Sequence, residues 1–541
     1  MSVFDSKDRA DKSKDRREIS SFYLRIYYPS DTIAKEHLEM MSMSQATQYK
    51  ALLAQVDLSD QNSILSYARH LEDMTFREVL DLDIKPADYN PKTYNSAKFK
   101  GGMGNLIEER YFGYKSNSDQ HPDFAEAGVE LKATCYDIRK KNREPSAGER
   151  LVLTMIPFDK PIEPDLTTSH LWEKCSTILL VYYQRDRSID KYDQQIKYVK
   201  LFTPPEEDLK VIRDDYNTIV SYIQSGRAHE LSEGLTTYLG ACTKGANLKH
   251  MWADQYYPYI EFDGSISHPK AKKRAFSFKR QYMDYVLHHY MMDEQDDSES
   301  ISDVESGASE PLPLEEMISR RVSVHIGKSD KQIALEFGTP YTGKKAQWIT
   351  LAYRMLGVGS NRVKEFVKAG ISARAIRVEE NGDVEQSLSL DTFEFADIAN
   401  EPCWEASELR QYLEETRFFF VVFKKTDGEY RLAGCKFWNM PVAELDTNAR
   451  RCWQEAHDVI CSGVKITRKG NRFFNNLPGE SDNPTMHVRP KSQHRAYRFE
   501  DGTAIGDLKD ASPLPDGRYM TRQCFWINNG YVIQQISDLI E

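Results

Sequence analysis

No two cysteines in this chain stand in a Cys-x-x-Cys spacing, and its eight cysteines are scattered. That gives neither a zinc site nor a disulfide framework. The histidines, His288-His289 included, show no metal-ligand spacing with a partner and read as structural. No apolar run approaches a membrane span, and the opening MSVFDSKDRADKSKDRREIS is too charged for a signal peptide. Excess positive charge is also missing: the formal net charge is −11, where a DNA-binding protein usually concentrates lysine and arginine. Much of the deficit is local, because Asp293–Glu316 carries ten acidic residues and no basic one. Without that segment the remainder is close to neutral. Net charge governs solubility more than the field of a cleft, so a DNA substrate is not excluded. What these absences leave is a reducing, cytoplasmic protein. At 541 residues and 40% hydrophobic composition it should build two domains.

The most informative stretch is PDFAEAGVELKA, which starts at Pro122. Val129, Leu131 and Ala133 alternate with Glu130 and Lys132, the period-2 pattern of a strand. Glu130 and Lys132 then share one face while Val129 and Leu131 enter a core. Asp123 lies near the end of the preceding segment and can reach that face. Two carboxylates can hold a hard cation such as Mg²⁺ through oxygen ligands. A lysine beside them can orient or deprotonate an attacking water and offset phosphate charge. A solvated ion pair on an exposed strand is the alternative in a chain with 29% charged residues. Upstream, KGGMGNLIE from Lys100 to Glu108 is a glycine-broken turn entering an apolar helix that carries a third carboxylate, Glu108. Downstream, Glu149–Ile156 has the composition of a strand able to pair with the first.

KGGMGNLIEERYFG followed by PDFAEAGVELKAT resembles the catalytic motifs of the MutH nickase and its restriction-enzyme relatives. HELSEGLTTYLGACTKGAN, from His229 to Asn247, and RAFSFKRQYM, from Arg274 to Met283, are similar to the Sau-type restriction endonucleases that cleave at GATC. The resemblance implies a PD-(D/E)xK nuclease fold, an α/β architecture with a mixed sheet, and Mg²⁺-dependent phosphodiester hydrolysis at GATC. It casts Glu108, Asp123 and Glu130 as metal ligands and adds Lys132 as a catalytic residue. Its implied partners are GATC-containing duplex DNA, a dimer or looped complex on two sites, and a cognate methyltransferase.

The chain also reads as a duplication. LFTPPEEDLKVIRDDYNTIVSYIQSG, from Leu201 to Gly226, answers to FWNMPVAELDTNARRCWQEAHDVICSG, from Phe437 to Gly463. TILLVYYQRD at Thr177 answers to RFFFVVFKKTDG at Arg417, each after a Trp-Glu pair, Trp172-Glu173 and Trp404-Glu405. The expected organisation is an extension of open role over 1–60, a catalytic domain over 61–292, an acidic linker over 293–316 and a degenerate domain over 317–541. In the second copy Ser372 stands opposite Glu130, Arg374 opposite Lys132 and Glu365 opposite Asp123. The place of Glu108 is taken by Thr350 or Ala352. One carboxylate cannot replace three, so that copy should have lost its chemistry and kept DNA binding.

His487-Val488-Arg489-Pro490-Lys491 resembles the family's Arg-Pro-Lys strand, whose basic residues face DNA. An arginine there can bond guanine in bidentate fashion. The matching Cys242-Thr243-Lys244 of the first copy keeps only the lysine, a form the restriction-enzyme branch shares. The basic cluster Lys270–Arg280, with Lys273, Arg274 and Lys279, is a candidate for phosphate contact, and a solvated helix entry is its alternative. Lys174 is a weaker candidate for a basic residue of the active site. A mismatch-repair type of nickase and a non-catalytic DNA-binding protein remain the alternatives to a restriction enzyme. The doubled chain speaks against the first, and the intact Glu108, Asp123, Glu130 and Lys132 against the second.

Overall fold

ILLVYYQ is too uniformly apolar for a half-exposed strand; it needs cover on both faces. In the computed structural model, Ile178–Gln184 is an inner strand of a four-stranded sheet, and Ile178 to Tyr182 are fully buried. Residues 45–82, 84, 102–115, 121–139, 143–244, 251–301, 313–470 and 472–541 are described. Residues 1–44, most of the expected N-terminal extension, lie outside them, as do Lys100 and Gly101 of the turn and 302–312 of the acidic segment. The chain gathers into two compact units, Met1–Glu149 with Trp172–Thr203, and Arg150–Leu171 with Pro204–Glu541.

In the first unit the sheet order is Pro145–Ala147, Glu130–Ile138, Ile178–Gln184, Ile196–Phe202. Glu130–Ile138 runs parallel to Ile178–Gln184, with Glu130 opposite Ile178 and Lys132 opposite Leu180. Parallel neighbours need a long crossover, and residues 139–177 supply it. Ile196–Phe202 then returns antiparallel. Beneath the sheet a core gathers Leu106, Ile107, Val129, Leu131, Leu179 and Val181. The expected pairing of Glu149–Ile156 with the Glu130 strand does not occur. The short strand Pro145–Ala147 takes that edge first, and Leu151–Met155 pairs with Arg274–Phe278 instead.

The second unit holds Leu151–Met155, Arg274–Phe278 and Leu239–Thr243 as one sheet, with Arg274–Phe278 in the middle. It also holds the complete second copy. There Ile371–Val378 runs parallel to Arg417–Thr426, with Ser372 opposite Phe418 and Arg374 opposite Phe420. These are the positions that Glu130 and Lys132 occupy in the first copy. Leu388–Thr392, Gln523–Ile527 and Met486–Pro490 repeat the other sheet, again with the middle strand last in sequence. Even the loop bonds recur: the Lys244 N–H donates to the Lys273 carbonyl at 2.8 Å, and the Lys491 N–H to the Arg522 carbonyl at 3.0 Å.

Both described ends of the acidic segment are anchored. Asp296 accepts from the Tyr285 hydroxyl at 2.7 Å, Glu299 exchanges main-chain bonds with Arg362 and Lys364, and Ile301 is fully buried. At the other end Glu315 pairs with Arg417. Within the same unit a buried ion pair, Lys368 with Asp208 at 2.6 Å, joins the helix Lys364–Ala369 of the second copy to the helix Glu206–Gln224 of the first. The second copy is therefore packed together with part of the first. No helix among the described residues is long and apolar enough to cross a membrane, and none of the eight cysteines is paired.

Candidate active site

A tight turn brings the acidic residues together. The Phe124 N–H donates to the Val129 carbonyl at 2.9 Å, and the Val129 N–H returns a bond to Phe124. Gly128 closes this turn at φ +64°, a left-handed conformation that favours glycine. Asp123 is thereby laid beside the first residues of the Glu130 strand. Its Oδ2 accepts from the Leu131 N–H at 2.9 Å, while Glu130 Oε2 accepts from the Asp123 N–H at 3.2 Å. Glu108 arrives from the helix Met103–Arg110, which packs closely on the same strand. A Cβ placed on Gly104 would lie 4.0 Å from Ala133 Cβ and 3.9 Å from Glu108 Oε1. Both Glu108 and Glu130 are buried, at 9% and 1% exposure.

Carboxylates withdrawn from water next to one another resist ionising. Burial pushes the Glu108 carboxyl up to about 8, with Asp123 adding to the effect, Lys132 opposing it, and Glu130 adding again. Burial likewise raises Glu130, against the pull of Lys132. For Lys132, burial disfavours the ammonium, but the Glu130 carboxylate in contact with it prevails and holds it above the ordinary lysine range. Lys132 is therefore charged at neutral pH. Lys174, on the short helix His170–Cys175, sends its ammonium to 3.6 Å from the same Glu130 oxygen. Cys175 beside it is inert, its thiol pushed up to about 12 by burial.

No three acidic, histidine or cysteine side chains among the described residues form a ready-made metal cage. The oxygens of Asp123 and Glu130 are engaged by main-chain N–H groups and Lys132. As a donor set, though, three carboxylates suit a hard divalent cation. Burial is the main cause of the raised Glu108 and Glu130, and the neighbouring carboxylate charge that adds to it is of the sign a cation would offset.

A family model described as "DNA mismatch repair enzyme MutH" matches residues 112–215. The type II restriction enzyme Sau3AI of Staphylococcus aureus is 33% identical over 482 residues, 82% of this chain and 93% of that enzyme. The DNA mismatch repair protein MutH of Shewanella woodyi is 30% identical over 188 residues, 34% of this chain and 76% of the relative. MutH of Actinobacillus pleuropneumoniae serotype 3 is 27% identical over 36% of this chain and 80% of its own length. The chain belongs to the MutH/Sau-type endonuclease family. It is a site-specific deoxyribonuclease with a restriction-endonuclease fold, and divalent metal use comes with that class.

Within this family member the basic candidates for DNA contact fall into two groups. Lys273 and Arg489 are exposed, and Lys244 is half-buried. The Arg489 guanidinium lies 4.2 Å over the Trp526 ring, whose Nε1–H donates to the Arg489 carbonyl at 3.2 Å. Lys491 is half-buried and donates to the Leu390 carbonyl at 2.6 Å. Arg274 and Lys279 correct the expectation of phosphate contact, because both are buried inside the sheet. Arg274 donates to the Ala241 carbonyl at 2.7 Å, and burial lowers it to about 10. Lys279 donates to the Thr236 carbonyl, and burial lowers it while the neighbouring Asp215 is raised. A basic run looks alike whether it lines a groove or ties a strand. Lys270 and Lys272 are also spoken for, by Asp254 at 3.1 Å and Asp446 at 3.8 Å.

Among the described residues, the second copy's counterpart of the site holds no carboxylate cluster. Glu365 accepts from the Ile301 N–H at 3.0 Å and the Ser300 hydroxyl at 2.7 Å, so it fastens the acidic segment. Thr350 bonds its own helix at Ala346, and Ala352 is buried. The sequence singles out no role for Tyr114, whose main-chain N–H donates to the Glu108 carbonyl at 3.2 Å. In sequence it is another aromatic in YFGY, with no signal to separate it from core residues.

Proposed function

We propose that this protein is a type II restriction endonuclease that cuts both strands of DNA at GATC with Mg²⁺. In this reading the catalytic domain spans 61–292, and the domain over 317–541, beyond the acidic segment, binds a second GATC as effector. The observation that carries the reading is the Glu108, Asp123, Glu130 and Lys132 cluster, in a chain similar to Sau3AI over 93% of that enzyme. Glu108, Asp123 and Glu130 are the residues to hold the cation, which when bound would supply Lewis acidity and a more acidic water. Lys132, protonated and fixed by Glu130, donates a hydrogen bond to the attacking water and offsets charge growing on the phosphate. Its contact with Glu130 keeps it at the carboxylates, where it orients or deprotonates that water. Lys174 adds a second positive charge at the same oxygen.

The exposed Arg489, stacked on Trp526, is the side chain best placed to read guanine in the effector domain. Lys244 and Lys273 are left as the phosphate or base contacts of the catalytic domain. The reading implies a cytoplasmic enzyme, with a methyltransferase of the same specificity protecting the host sites. Plasmids with defined GATC sites, incubated with the protein and Mg²⁺, test it. Linearisation at GATC is the expected result. Nicks alone would favour a mismatch-repair type of activity, and mobility shifts without cleavage would leave a DNA-binding protein.

A further inference from the structure

The second copy carries a two-stranded ribbon that the first lacks. In the first copy the stretch 227–238, between Gly226 and the strand Leu239–Thr243, holds two short 3₁₀ helices and no strand. The corresponding stretch of the second copy, 464–485, is ten residues longer and folds Ile466–Lys469 back on Arg472–Asn475. Gly470, in the turn, has φ +60°, a left-handed conformation that tight hairpin turns require. From Val464 to Gly479 there are four basic residues, Lys465, Arg468, Lys469 and Arg472, and no acidic one. All four are exposed. Among the described residues none of them meets a carboxylate. Arg468 donates to the Gly470 carbonyl at 2.9 Å and lies 5.7 Å over the Phe473 ring, and Lys469 lies 5.9 Å over the Phe474 ring.

The register sorts the ribbon into two faces. Ile466, Arg468, Phe473 and Asn475 share one, where Ile466 and Phe473 pack on the core and Phe473 stacks on Tyr497 at 4.5 Å. Thr467, Lys469, Arg472 and Phe474 share the other, and all of them are exposed, Phe474 by 47%. Lys469 stands directly opposite Arg472, and like charges so placed repel. Folding alone gives no return for that pair, whereas an anionic partner does. The foot of the ribbon is held firmly: Arg518 donates to the Val464 carbonyl at 2.6 Å, and the Lys465 N–H donates to Asn476 Oδ1 at 2.8 Å. The chain then returns to the strand that bears Arg489, where the Pro478 carbonyl accepts from the Val488 N–H at 2.8 Å. A two-stranded ribbon fits the major groove of duplex DNA, and lysine or arginine on it can neutralise phosphates. We propose that this ribbon is a DNA-binding arm of the second copy, with Lys469 and Arg472 on phosphates of the duplex that Arg489 reads. This rests on the proposed effector role of that copy.

Two measurements on the full-length protein, in chelator to prevent cleavage, test the arm. Saturating GATC duplex should slow amide hydrogen exchange in the peptide spanning the ribbon. In fluorescence anisotropy, Lys469→Gln combined with Arg472→Gln should make the fall of log affinity with log salt shallower by about 1.8, since each phosphate contact on a duplex contributes about 0.9. The charge-keeping pair Lys469→Arg with Arg472→Lys should retain the wild-type slope. The neutral variant should melt at the wild-type temperature or higher, because it discards the like-charge pair. Either an unprotected ribbon at saturating duplex or an unchanged slope overturns the proposal. Stimulation of one-site plasmid cleavage by a GATC oligonucleotide separates the two levels. If wild type is stimulated while the ribbon stays unprotected, only the arm fails. If the ribbon is protected and the slope falls but no stimulation occurs, the arm stands and the effector reading fails.

Discussion

Replacing Glu108 by glutamine should change how the metal-free protein responds to pH, in a direction fixed by burial. The folded-state carboxyl is pushed from 4.5 up to about 8, so between those values the folded protein holds a proton that the unfolded chain has released. Stability from this group is complete below about pH 4.5 and is lost as pH rises toward 8. Each tenfold gain in proton affinity on folding is worth about 1.4 kcal/mol, which sets a ceiling of roughly 5 kcal/mol. The expected amplitude is roughly 2 kcal/mol between pH 5 and 8. Glutamine mimics the neutral carboxyl and cannot titrate, so Glu108→Gln should remove that slope and be the more stable protein at pH 8. Amide hydrogen exchange of the helix Met103–Arg110 and the strand Glu130–Ile138, in chelator and corrected for intrinsic rates, reads the local opening free energy. Other titrating groups are common to both proteins and cancel in the difference. A wild-type minus variant difference that stays flat from pH 5 to 8 would refute the account of Glu108. With Mg²⁺ added, wild type should gain stability at pH 8 and the variant should gain much less.

Asp123→Ala and Glu130→Ala should each reduce cleavage by about a thousandfold or more while gel shifts with GATC duplex stay close to wild type, because in the proposed site each removes a metal ligand and no phosphate contact. Lys132→Ala should also stop cleavage without weakening DNA binding, which single-turnover assays beside gel shifts would check. Lys279→Met should destabilise the second unit by roughly 1–3 kcal/mol in urea unfolding, since it leaves the buried Thr236 carbonyl without its donor and removes the positive charge that favours an ionised Asp215. Changing both residues to asparagine should recover much of that loss. Wild-type enzyme should cut a two-site plasmid faster than a one-site plasmid, with a GATC oligonucleotide restoring the slower rate and Arg489→Ala blunting the effect; equal rates would refute the effector domain.

The carboxylates were legible because their spacing is chemistry written on one strand and one helix. The period-2 run at Val129 fixes which face Glu130 and Lys132 share, whereas the turn at Gly128 that returns Asp123 is seen only in the structure. Burial of the opposite side was less legible, for Glu130 lies as deep as Val129. The false pairing of Leu151–Met155 with the Glu130 strand shows a second limit. Composition says that a segment is a strand but not which sheet it joins, and three residues at Pro145–Ala147 were enough to occupy that edge. Two of the basic candidates, Arg274 and Lys279, failed for a related reason. Lys273 and Arg274 are neighbours in sequence, but one points to solvent and the other into the sheet, and charge alone does not report which.

The duplication is the place where sequence and structure inform each other most. In the first copy Asp215 accepts from the N–H groups of Thr237, Tyr238 and Leu239, and Lys279 bonds the Thr236 carbonyl. Together they fix the strand that ends at Lys244. In the second copy the register puts Asn528 at the place of Lys279 and Asn483 at that of Thr236. Asn528 donates to the Asn483 carbonyl at 2.7 Å, and Asn483 accepts from the Thr485 and Met486 N–H groups. Neutral amides thus do there what a buried lysine and a buried carboxylate do in the first copy. A strand can be held either way, so the charged version is not needed for folding as such, and an amide exchange in the first copy is expected to be tolerated. The carboxylate site has no such substitute: Ser372, Arg374 and a Glu365 tied to Ser300 and Ile301 cannot gather the negative charge a divalent cation requires. Where two solutions serve, both copies keep the strand; where only one serves, the second copy lacks the carboxylates, and its Glu365 fastens the acidic segment.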